Sequence, residues 1–330
     1  MNHAIVFVSL AVAVAPMLAL LFFIWWVDRY DREPLKYILG AFLWGGFGAI
    51  ALSILGTEAG IRILGNLVNN AGFDFPAVIL APFIEEFMKG LVVFFLLSVS
   101  QFENVTDGLV YGAASGLGFG MTENFMYFTQ VAGVSPGFDL LNLLFVRSMM
   151  TANMHCAASA SFGAGISRLK GGGKDAWISV GVFYLLAVFL HAAWNFLVTS
   201  RIEAYWGIAV IMLILYFVFL FVLFVRGLLG ERKQRQAVLV EEFDLGVLPP
   251  EHRKILMSYF AMRRRRWFPD YLNKDKYLGL VGRLALRKVS YSRSDGKHKA
   301  ALQKEIVELR NELKKFTELL EQLKQEKSPA

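Results

Sequence analysis

The chain has 330 residues, of which 56% are hydrophobic and 18% are charged, a balance well removed from that of soluble globular domains. The charge is unevenly divided, because residues 1–225 contain 10 Lys/Arg and 13 Asp/Glu whereas residues 226–330 contain 24 and 14. A soluble globular domain is therefore not expected, and two regions with different surroundings are predicted. The one cysteine, Cys156, excludes a disulfide or a cysteine-based zinc cluster within a single chain.

The first 226 residues contain long apolar stretches that predict membrane-spanning helices. A bilayer core of about 30 Å requires about 20 mostly apolar residues per helix, and stretches of that length recur along the chain. The predicted fold is therefore all-α: a polytopic integral membrane protein with about seven transmembrane helices, followed by a helical tail. The predicted spans cover residues 4–27, 35–56, 77–98, 108–131, 140–166, 176–199 and 204–226.

Basic residues in the short loops predict the orientation of these spans. Cytoplasmic loops are enriched in Lys and Arg, and the loops after spans one and five are much more basic than the alternate loops. We therefore expect a multi-pass membrane protein with its amino terminus outside and its tail in the cytoplasm. The basic loop residues are Arg29, Arg32, Lys36, Arg168, Lys170 and Lys174, against Arg62 and Arg201 in the alternate loops.

The composition predicts three regions: a membrane domain (1–230), a basic cytoplasmic helical segment (231–297) and a coiled-coil tail (298–330). The arginine run at 263–266 predicts attraction to anionic membrane lipid, and no motif supports nucleic-acid binding. The heptad pattern predicts a coiled coil and with it a homodimer, although a helix packed on the rest of the tail would show similar spacing. Its apolar positions are Leu302, Ile306, Leu309, Leu313, Phe316, Leu320 and Leu323.

Four of the predicted spans carry charged or strongly polar residues. A charge at bilayer depth costs about 2.5–3.5 kcal/mol even on lenient scales and therefore marks a functional site by default. Helical spacing allows Lys89 to neutralise one of the two glutamates three and four residues before it, which leaves the other glutamate for chemistry. The residues are Glu85, Glu86 and Lys89 in span three, Glu123 and Asn124 in span four, Arg147 and His155 in span five, and His191 and Asn195 in span six.

The depth of these residues can be counted at 1.5 Å per helical residue. Glu85, Glu123 and His191 each come out about 12 Å from the outer end of their span, whereas His155 comes out about 10 Å deeper. The membership of His155 in the cluster thus depends on where span five begins and how it tilts. A row of small residues in span four predicts the close approach of another helix, which would hold Glu123 out of lipid. The row is Gly108, Gly112, Gly116 and Gly120.

Taken in order, these motifs resemble the PrsW family of intramembrane proteases, a branch of the superfamily that includes the CAAX prenyl endopeptidases. The resemblance spans roughly residues 24–199. It rests on Asp28-Arg29-Tyr30-Asp31-Arg32-Glu33-Pro34, which is similar to D-x-Y-E-x-E-P, on Glu85-Glu86-x-x-Lys89, which is similar to E-E-x-x-K, on Phe119-x-x-x-Glu123-Asn124-x-x-Tyr127, on His155 and on His191-x-x-x-Asn195.

The resemblance implies a bacterial inner-membrane enzyme that cleaves a peptide bond in a membrane-protein substrate, the best-known family role being cleavage of an anti-sigma factor. One of the paired glutamates would activate water, and histidines with an asparagine would hold the substrate carbonyl. Mapped by motif, the catalytic group is Glu85, Glu86, Glu123, His155, His191 and Asn195, with Lys89 and Asn124 as supporting partners. Arg147 is predicted either as a further partner of a glutamate or as a residue that reaches the membrane interface.

The metal requirement stays open at this stage. A His2Glu set with one open position is an established zinc site, and His155 and His191 with Glu85 or Glu86 would supply it. The sequence contains no H-E-x-x-H helix. The missing motif and the number of carboxylates favour a metal-free or undetermined site, so the cofactor is either none or zinc.

Other functions compete with the protease. A proton-coupled transporter would also place Glu, His and Lys at the bilayer midplane, but the order of the motifs shows no inverted repeat. A serine protease would require a serine paired with histidine, and Ala113 replaces the first glycine of a G-x-S-G motif at Ser115. A non-catalytic scaffold could use the coiled coil. The protease is favoured because three intramembrane glutamates exceed what helix packing requires.

Overall fold

The structure is a computed structural model with side chains. It describes residues 3–27, 33–65, 73–99, 104–132, 146–171, 173–200, 202–258, 272–293 and 296–326, together with the positions 68, 102, 144, 261, 262, 264 and 267–269. The chain divides into two compact units, Met1–Leu228 and Leu229–Ala330. The expected boundary at residue 230 lies beside this division, and the segments 231–297 and 298–330 fall within the same unit.

Every regular element in the described part of the first unit is helical. The sequence explains this, because the apolar stretches are long and contain few residues that break helices. The helices are α1 (His3–Val27), α2 (Leu35–Leu43), α3 (Ile50–Ile63), α4 (Ala81–Leu96), α5 (Val105–Ala132), α6 (Ala152–Ser167), α7 (Lys174–Thr199) and α8 (Glu203–Asp244), which continues into the second unit.

Three π-helical turns adjoin these helices. Trp44–Ala49 joins α2 to α3, Pro76–Leu80 precedes α4, and Arg147–Thr151 precedes α6. A π turn uses i→i+5 hydrogen bonds and is frequent at functional sites. Two of these turns lead into the helices that carry the E-E-x-x-K motif and His155, so irregular turns set the position of both helices.

Within the described part of the chain, four helical segments are long and apolar enough to cross a membrane: Val6–Val27, Leu35–Ile63, Lys174–Thr199 and Ala204–Asp244. The other predicted spans are helical where the structure describes them, but they carry the motif charges and many small polar residues. Their central position explains this composition, since every residue of α6 except Asn153 is buried. A helix covered by protein needs no lipid-facing apolar surface. Seven crossings therefore stay a prediction.

Helices α5 and α6 approach each other backbone to backbone. A Cβ atom added at Gly112 would lie 2.3 Å from the carbonyl oxygen of Ser159, and one added at Gly116 would lie 2.3 Å from that of His155. Real Cβ atoms essentially never come this close to another atom, so only glycine permits the contact. The predicted role of the glycine row is confirmed, and its neighbour is the helix that carries His155.

The second unit contains the heptad segment. Its helices beyond α8 are α9 (Arg253–Leu256), α10 (Lys274–Arg293) and α11 (Gly296–Glu326). The apolar face of α11 shares one buried cluster with side chains of α8, of α10 and of the segments between them. A helix packed on its own tail thus accounts for the heptad spacing, and a coiled coil is not confirmed. The buried heptad residues are Leu302, Ile306, Leu309, Leu313 and Leu320.

A buried ion cluster links the helices of the second unit. The carboxylate of Glu242 is fully buried and accepts hydrogen bonds from Lys288 Nζ at 2.5 Å and from Arg310 Nε at 2.8 Å. Glu242 lies 16 residues beyond the end of the predicted span 204–226. Burial acts to raise the pKa of Glu242, but the hydrogen bonds from Arg310 and Lys288 outweigh it and hold the pKa below its usual value. Of the arginine run at 263–266, only Arg264 is among the described residues.

Candidate active site

Four helices of the first unit bring their motif residues together. Helix α4 supplies the paired glutamates and the lysine, α5 and α6 supply a glutamate and a histidine, and α7 supplies the second histidine. A π turn supplies the arginine. We call this set the polar group; its members are Glu85, Glu86, Lys89, Glu123, Arg147, His155 and His191.

Glu86 is the buried centre of the polar group. Its Oε1 accepts hydrogen bonds from Lys89 Nζ at 2.8 Å and from His191 Nδ1 at 2.9 Å, and its Oε2 accepts one from Ser159 Oγ at 2.8 Å. Because an ionised carboxylate only accepts, the Nδ1 atom of His191 carries a proton. The Glu86 side chain is 0% exposed. It therefore fixes its neighbours and has no surface for a substrate.

Glu85 occupies the accessible side of the same helix. Its Oε2 lies 3.4 Å from Lys89 Nζ and 3.8 Å from His191 Nε2, and its side chain is 15% exposed. Consecutive residues of a helix point about 100° apart, which separates the pair into a buried and an accessible carboxylate. The accessible member, Glu85, is thus the one available for chemistry.

His155 belongs to the polar group in spite of its counted depth. Its Nε2 lies 2.8 Å from Glu123 Oε2 and its Nδ1 lies 3.0 Å from Lys89 Nζ. An ammonium group only donates, so Nδ1 accepts from Lys89 and the Nε2 proton is donated to Glu123. The His155 and His191 rings are nearly perpendicular, with centroids 4.7 Å apart.

Arg147 connects Glu123 to its surroundings. Its Nη2 lies 2.7 Å from Glu123 Oε2, and its Nε donates to Asn124 Oδ1 at 3.1 Å. The guanidinium carbon lies 3.6 Å from the centroid of the Tyr127 ring. The Glu123 carboxylate is therefore held from two sides, by Arg147 and by His155, while its side chain remains 20% exposed.

Asn195 is directed elsewhere, although it follows His191 by one helical turn. Its amide nitrogen donates to a backbone carbonyl of the π turn before α4, and the structure does not bring that nitrogen to the polar group.

Each of the described π turns has a carbonyl group that accepts a hydrogen bond from a side chain of another helix. Irregular backbone at membrane depth requires such partners. The pairs are Thr122 with Gly46 at 2.7 Å, Asn124 with Arg147 at 3.2 Å and Asn195 with Ala77 at 2.9 Å.

Two neighbours of the polar group were not predicted from the sequence. Ser159 donates to Glu86, and the ring centroid of Phe119 lies 3.9 Å from Lys89 Nζ. Spacing offers a signal for Ser159, since it follows His155 by four residues and shares its helix face. Phe119 precedes Glu123 by four residues and shares the corresponding face of α5.

The first family-like motif lies apart from the polar group. Residues 28–32 fall outside the described residues. Glu33 is buried and accepts a hydrogen bond from the hydroxyl group of Tyr111, while its carbonyl oxygen accepts one from Trp25 Nε1 at 3.1 Å. This end of the motif therefore connects α1 to α5.

Three members of the polar group form a set that could hold a metal ion. One ligand atom each of Glu85, His155 and His191 lies within 4.8 Å of the other two. Two histidines with one glutamate are a known zinc set. Metal-binding histidines usually donate their other ring nitrogen to a carboxylate, and Glu123 and Glu86 accept from these two rings. The residues therefore fit a metal, in contrast to the metal-free site that the sequence favours.

Comparison with known proteins points to one family. The model of the PrsW family intramembrane metalloproteases matches residues 33–225. A protease PrsW of Geobacillus kaustophilus is 28% identical over 202 residues, covering 61% of this chain and 83% of that protein. A protease PrsW of Bacillus subtilis is 24% identical over 200 residues, covering 59% and 84%. One of Clostridioides difficile is 27% identical over 214 residues, covering 63% and 84%.

The matched residues contain the whole polar group and end within α8. The remaining 226–330, which include the described helices α9 to α11, lie outside the family match. No solved structure matches the chain significantly.

Proposed function

The chain belongs to the PrsW family of intramembrane metalloproteases, and from this premise we propose that it hydrolyses a peptide bond of a membrane protein at a zinc ion held by Glu85, His155 and His191. That it is an intramembrane protease follows from the family and from relatives named Protease PrsW. The metal, its ligands and the substrate are the parts that we propose. The relatives give no support to the transporter or scaffold alternatives.

One observation carries the zinc proposal. Each histidine has one nitrogen directed to a carboxylate outside the ligand set, His155 Nε2 to Glu123 and His191 Nδ1 to Glu86. The opposite nitrogens, His155 Nδ1 and His191 Nε2, are then the ones left for a metal. Such carboxylate partners fix the tautomer and orientation of metal-binding imidazoles. Two histidines arranged in this way beside an accessible glutamate fit a metal site better than a helix-packing role.

The protein groups divide the work as follows. A bound zinc ion would polarise the scissile carbonyl and lower the pKa of water. Glu85 and the two histidines would hold it, and Glu86 holds His191 from a position that water cannot reach. Glu123 is already paired with Arg147 and His155, so it keeps the His155 ring in place and is a poor acceptor for the proton of the attacking water. The water oxygen bonds to the carbonyl carbon, the C–N bond breaks, and the proton passes to the leaving amine.

A second candidate is a glutamate-dependent protease without metal. Lys89 favours this version, because its Nζ lies 3.0 Å from His155 Nδ1. A zinc ion would need the same nitrogen atom. In this version Glu85 takes the proton from water. The two candidates share Glu85 and differ in the requirement for metal.

The membrane setting also contains proposals. The family and the apolar helices make this a bacterial membrane protein. We propose that the amino terminus is outside and the tail cytoplasmic, on the basis of the basic loops, and that the basic tail contacts anionic lipid. An anti-sigma factor is the first substrate to test. A homodimer through residues 302–323 stays an untested alternative, since the apolar face of α11 is already covered within its own chain.

The experiment is cleavage of single-span membrane proteins, including anti-sigma factors, by the purified full chain in liposomes. The variants are Glu85→Gln, His191→Ala and, as a control, Glu58→Gln, a carboxylate on the exposed side of α3. Each is assayed with a zinc chelator and after zinc is added back.

We expect cleavage by the native chain and by Glu58→Gln, loss of cleavage with the chelator, and recovery with zinc. Glu85→Gln and His191→Ala should stay inactive under all conditions. Cleavage that ignores the chelator but requires Glu85 would replace the zinc version by the metal-free one. Cleavage that survives in Glu85→Gln would refute both.

A further inference from the structure

Among the residues that the structure describes, Lys89 is the one cation that contacts two of the three candidate ligand residues. Its Nζ lies 3.0 Å from His155 Nδ1 and 3.4 Å from Glu85 Oε2. Two further partners are not ligands, namely Glu86 Oε1 at 2.8 Å and the Phe119 ring, whose centroid is 3.9 Å away. The ammonium group thus divides its contacts between the ligand atoms and two neighbours that would remain in place around a metal.

We propose that Lys89 is a built-in competitor of the metal, so that its ammonium group and a divalent cation claim the same atoms of His155 and Glu85. This inference rests on the zinc site of the proposed function. When zinc binds, Lys89 gives up His155 and Glu85 and keeps Glu86 and Phe119. The ligand atom of His155 is then released to the metal, and its other nitrogen stays bound to Glu123.

Electrostatics determines the direction of the effect. Lys89 is 0% exposed, and so is its ion-pair partner Glu86. Buried carboxylates are costly without a counter-charge, so Lys89 stabilises the group whenever no metal does. The same positive charge repels a divalent cation at short range. Both effects lower the affinity for zinc, and removing Lys89 should therefore raise it.

Arg147 provides an internal comparison. It is the other cation of the polar group and contacts Glu123 at 2.7 Å, but no contact joins it to a candidate ligand atom. If only the total charge of the group mattered, loss of either cation would raise the affinity for zinc. If direct competition matters, only the loss of Lys89 would do so, and loss of Arg147 would release Glu123 and weaken the support of His155.

Competition by Lys89 would make the occupancy of the site depend on the concentration of zinc. An unopposed His2Glu set would retain zinc tightly, whereas a set shared with a lysine exchanges it more readily. The protease would then follow the zinc concentration of its surroundings. Lys89 acts here as an affinity-setting residue, while Glu85, His155 and His191 remain the ligands.

The test is zinc affinity of the full chain in detergent, measured by competition with a chromophoric chelator. The proteins are wild type, Lys89→Met, Lys89→Gln and Arg147→Met, purified with an affinity tag that contains no histidine. A double variant, His155→Ala with His191→Ala, gives the binding elsewhere in the chain, which is subtracted. Cleavage by the wild type with and without zinc is measured in parallel.

We expect Lys89→Met and Lys89→Gln to bind zinc about tenfold tighter or more, the scale on which neighbours alter metal sites, while Arg147→Met binds equally or more weakly. Zinc binding by the Lys89 variants alone would also support competition. Equal or weaker binding by the Lys89 variants, or equal tightening by Arg147→Met, would overturn it.

The outcomes separate the inference from the function on which it rests. If wild type needs zinc for cleavage and the Lys89 variants bind no tighter, the competition fails and the zinc site stands. If neither wild type nor the Lys89 variants bind zinc, both fail. The Lys89 variants are purified with zinc present, since zinc should compensate the carboxylates in place of the lysine. Failure of both to fold under that condition would also contradict the competition.

Discussion

A methyl group at Gly116 should disable the enzyme from outside the polar group. The added Cβ would lie 2.3 Å from the carbonyl oxygen of His155, whereas ordinary van der Waals contacts begin at 3.4 Å. The obstacle is backbone and cannot rotate away, so α6 must move by about 1 Å at the residue that supplies a candidate ligand. A misplacement of about 1 Å can reduce a rate by about 100-fold, and overpacking costs about 1–3 kcal/mol of stability.

The assay compares Gly116→Ala with Gly181→Ala in the cleavage reaction and in thermal unfolding. A Cβ at Gly181, in α7, would have no atom within 4 Å, so this variant should cleave like the wild type and unfold at an equal or higher temperature. For Gly116→Ala we expect a folded chain with a lower unfolding temperature and a rate reduced about 100-fold. A rate within a few-fold of that of Gly181→Ala would refute the argument that this contact positions His155.

Three further predictions concern other parts of the molecule. Asn195→Ala should lower the unfolding temperature, because a π turn loses a hydrogen bond worth about 1 kcal/mol. It should reduce kcat by less than the roughly 100-fold expected on loss of an oxyanion donor. A larger loss of kcat with unchanged stability would instead support the predicted catalytic role of Asn195. The depressed pKa of Glu242 means that its stabilisation is full above its ordinary pKa of 4.5 and is lost as the pH falls towards the lower folded value. The protection of 274–293 from hydrogen exchange, relative to the intrinsic exchange rate at each pH, should therefore fall below about pH 4.5 in the full chain. Glu242→Gln should remove most of this pH dependence, and an unchanged dependence would contradict the prediction. The orientation can be tested in a chain without its native cysteine. Ile202→Cys should react with an impermeant thiol reagent in intact cells, whereas Lys315→Cys should react only after permeabilisation. The reverse pattern would show that the topology is inverted.

The sequence predicted the composition of the site better than its geometry. Spacing alone placed Lys89 beside Glu85 and Glu86, and the glycine row predicted a close helix neighbour; the structure contains both contacts. Spacing did not show which glutamate is buried. That depends on Ser159 of another helix, a contact that no periodicity within α4 encodes.

The depth of His155 and the contact of Asn195 both depend on local structure that residue spacing does not show. The count assumed a uniform α-helix, but π turns with i→i+5 bonds precede α4 and α6. One such turn shifts the register by about one residue, or about 1.5 Å, which is much less than the counted separation of about 10 Å. Counted from Arg147, where the described turn begins, His155 lies eight residues along, about 12 Å, and it meets Glu123 at that level. The same turns present carbonyl groups that Asn124 and Asn195 bind. A motif asparagine can thus serve the backbone, although its spacing from His191 suggests the substrate.

In the tail, the sequence pattern predicts the helix but not the surface against which it packs. Heptad spacing correctly predicts an amphipathic helix at α11, because apolar residues three and four apart form one face. It does not specify what covers that face, since another chain and the same chain present the same kind of surface. In the structure that face lies in a buried cluster of the same unit, and a hydrogen bond from Arg310 to the buried Glu242 also connects α11 to α8.

Charge pairing within the polar group supports the role that we propose for Glu85. Three carboxylates meet two cations there, and the close pairs are Lys89 with Glu86 and Arg147 with Glu123. Glu85 is left with its nearest cation at 3.4 Å, and it is partly exposed. A carboxylate without a close counter-charge is costly inside a membrane. We therefore expect Glu85 to bind either a cation or a proton. A metal ion and a proton from water are the two candidates for that role, and both converge on Glu85.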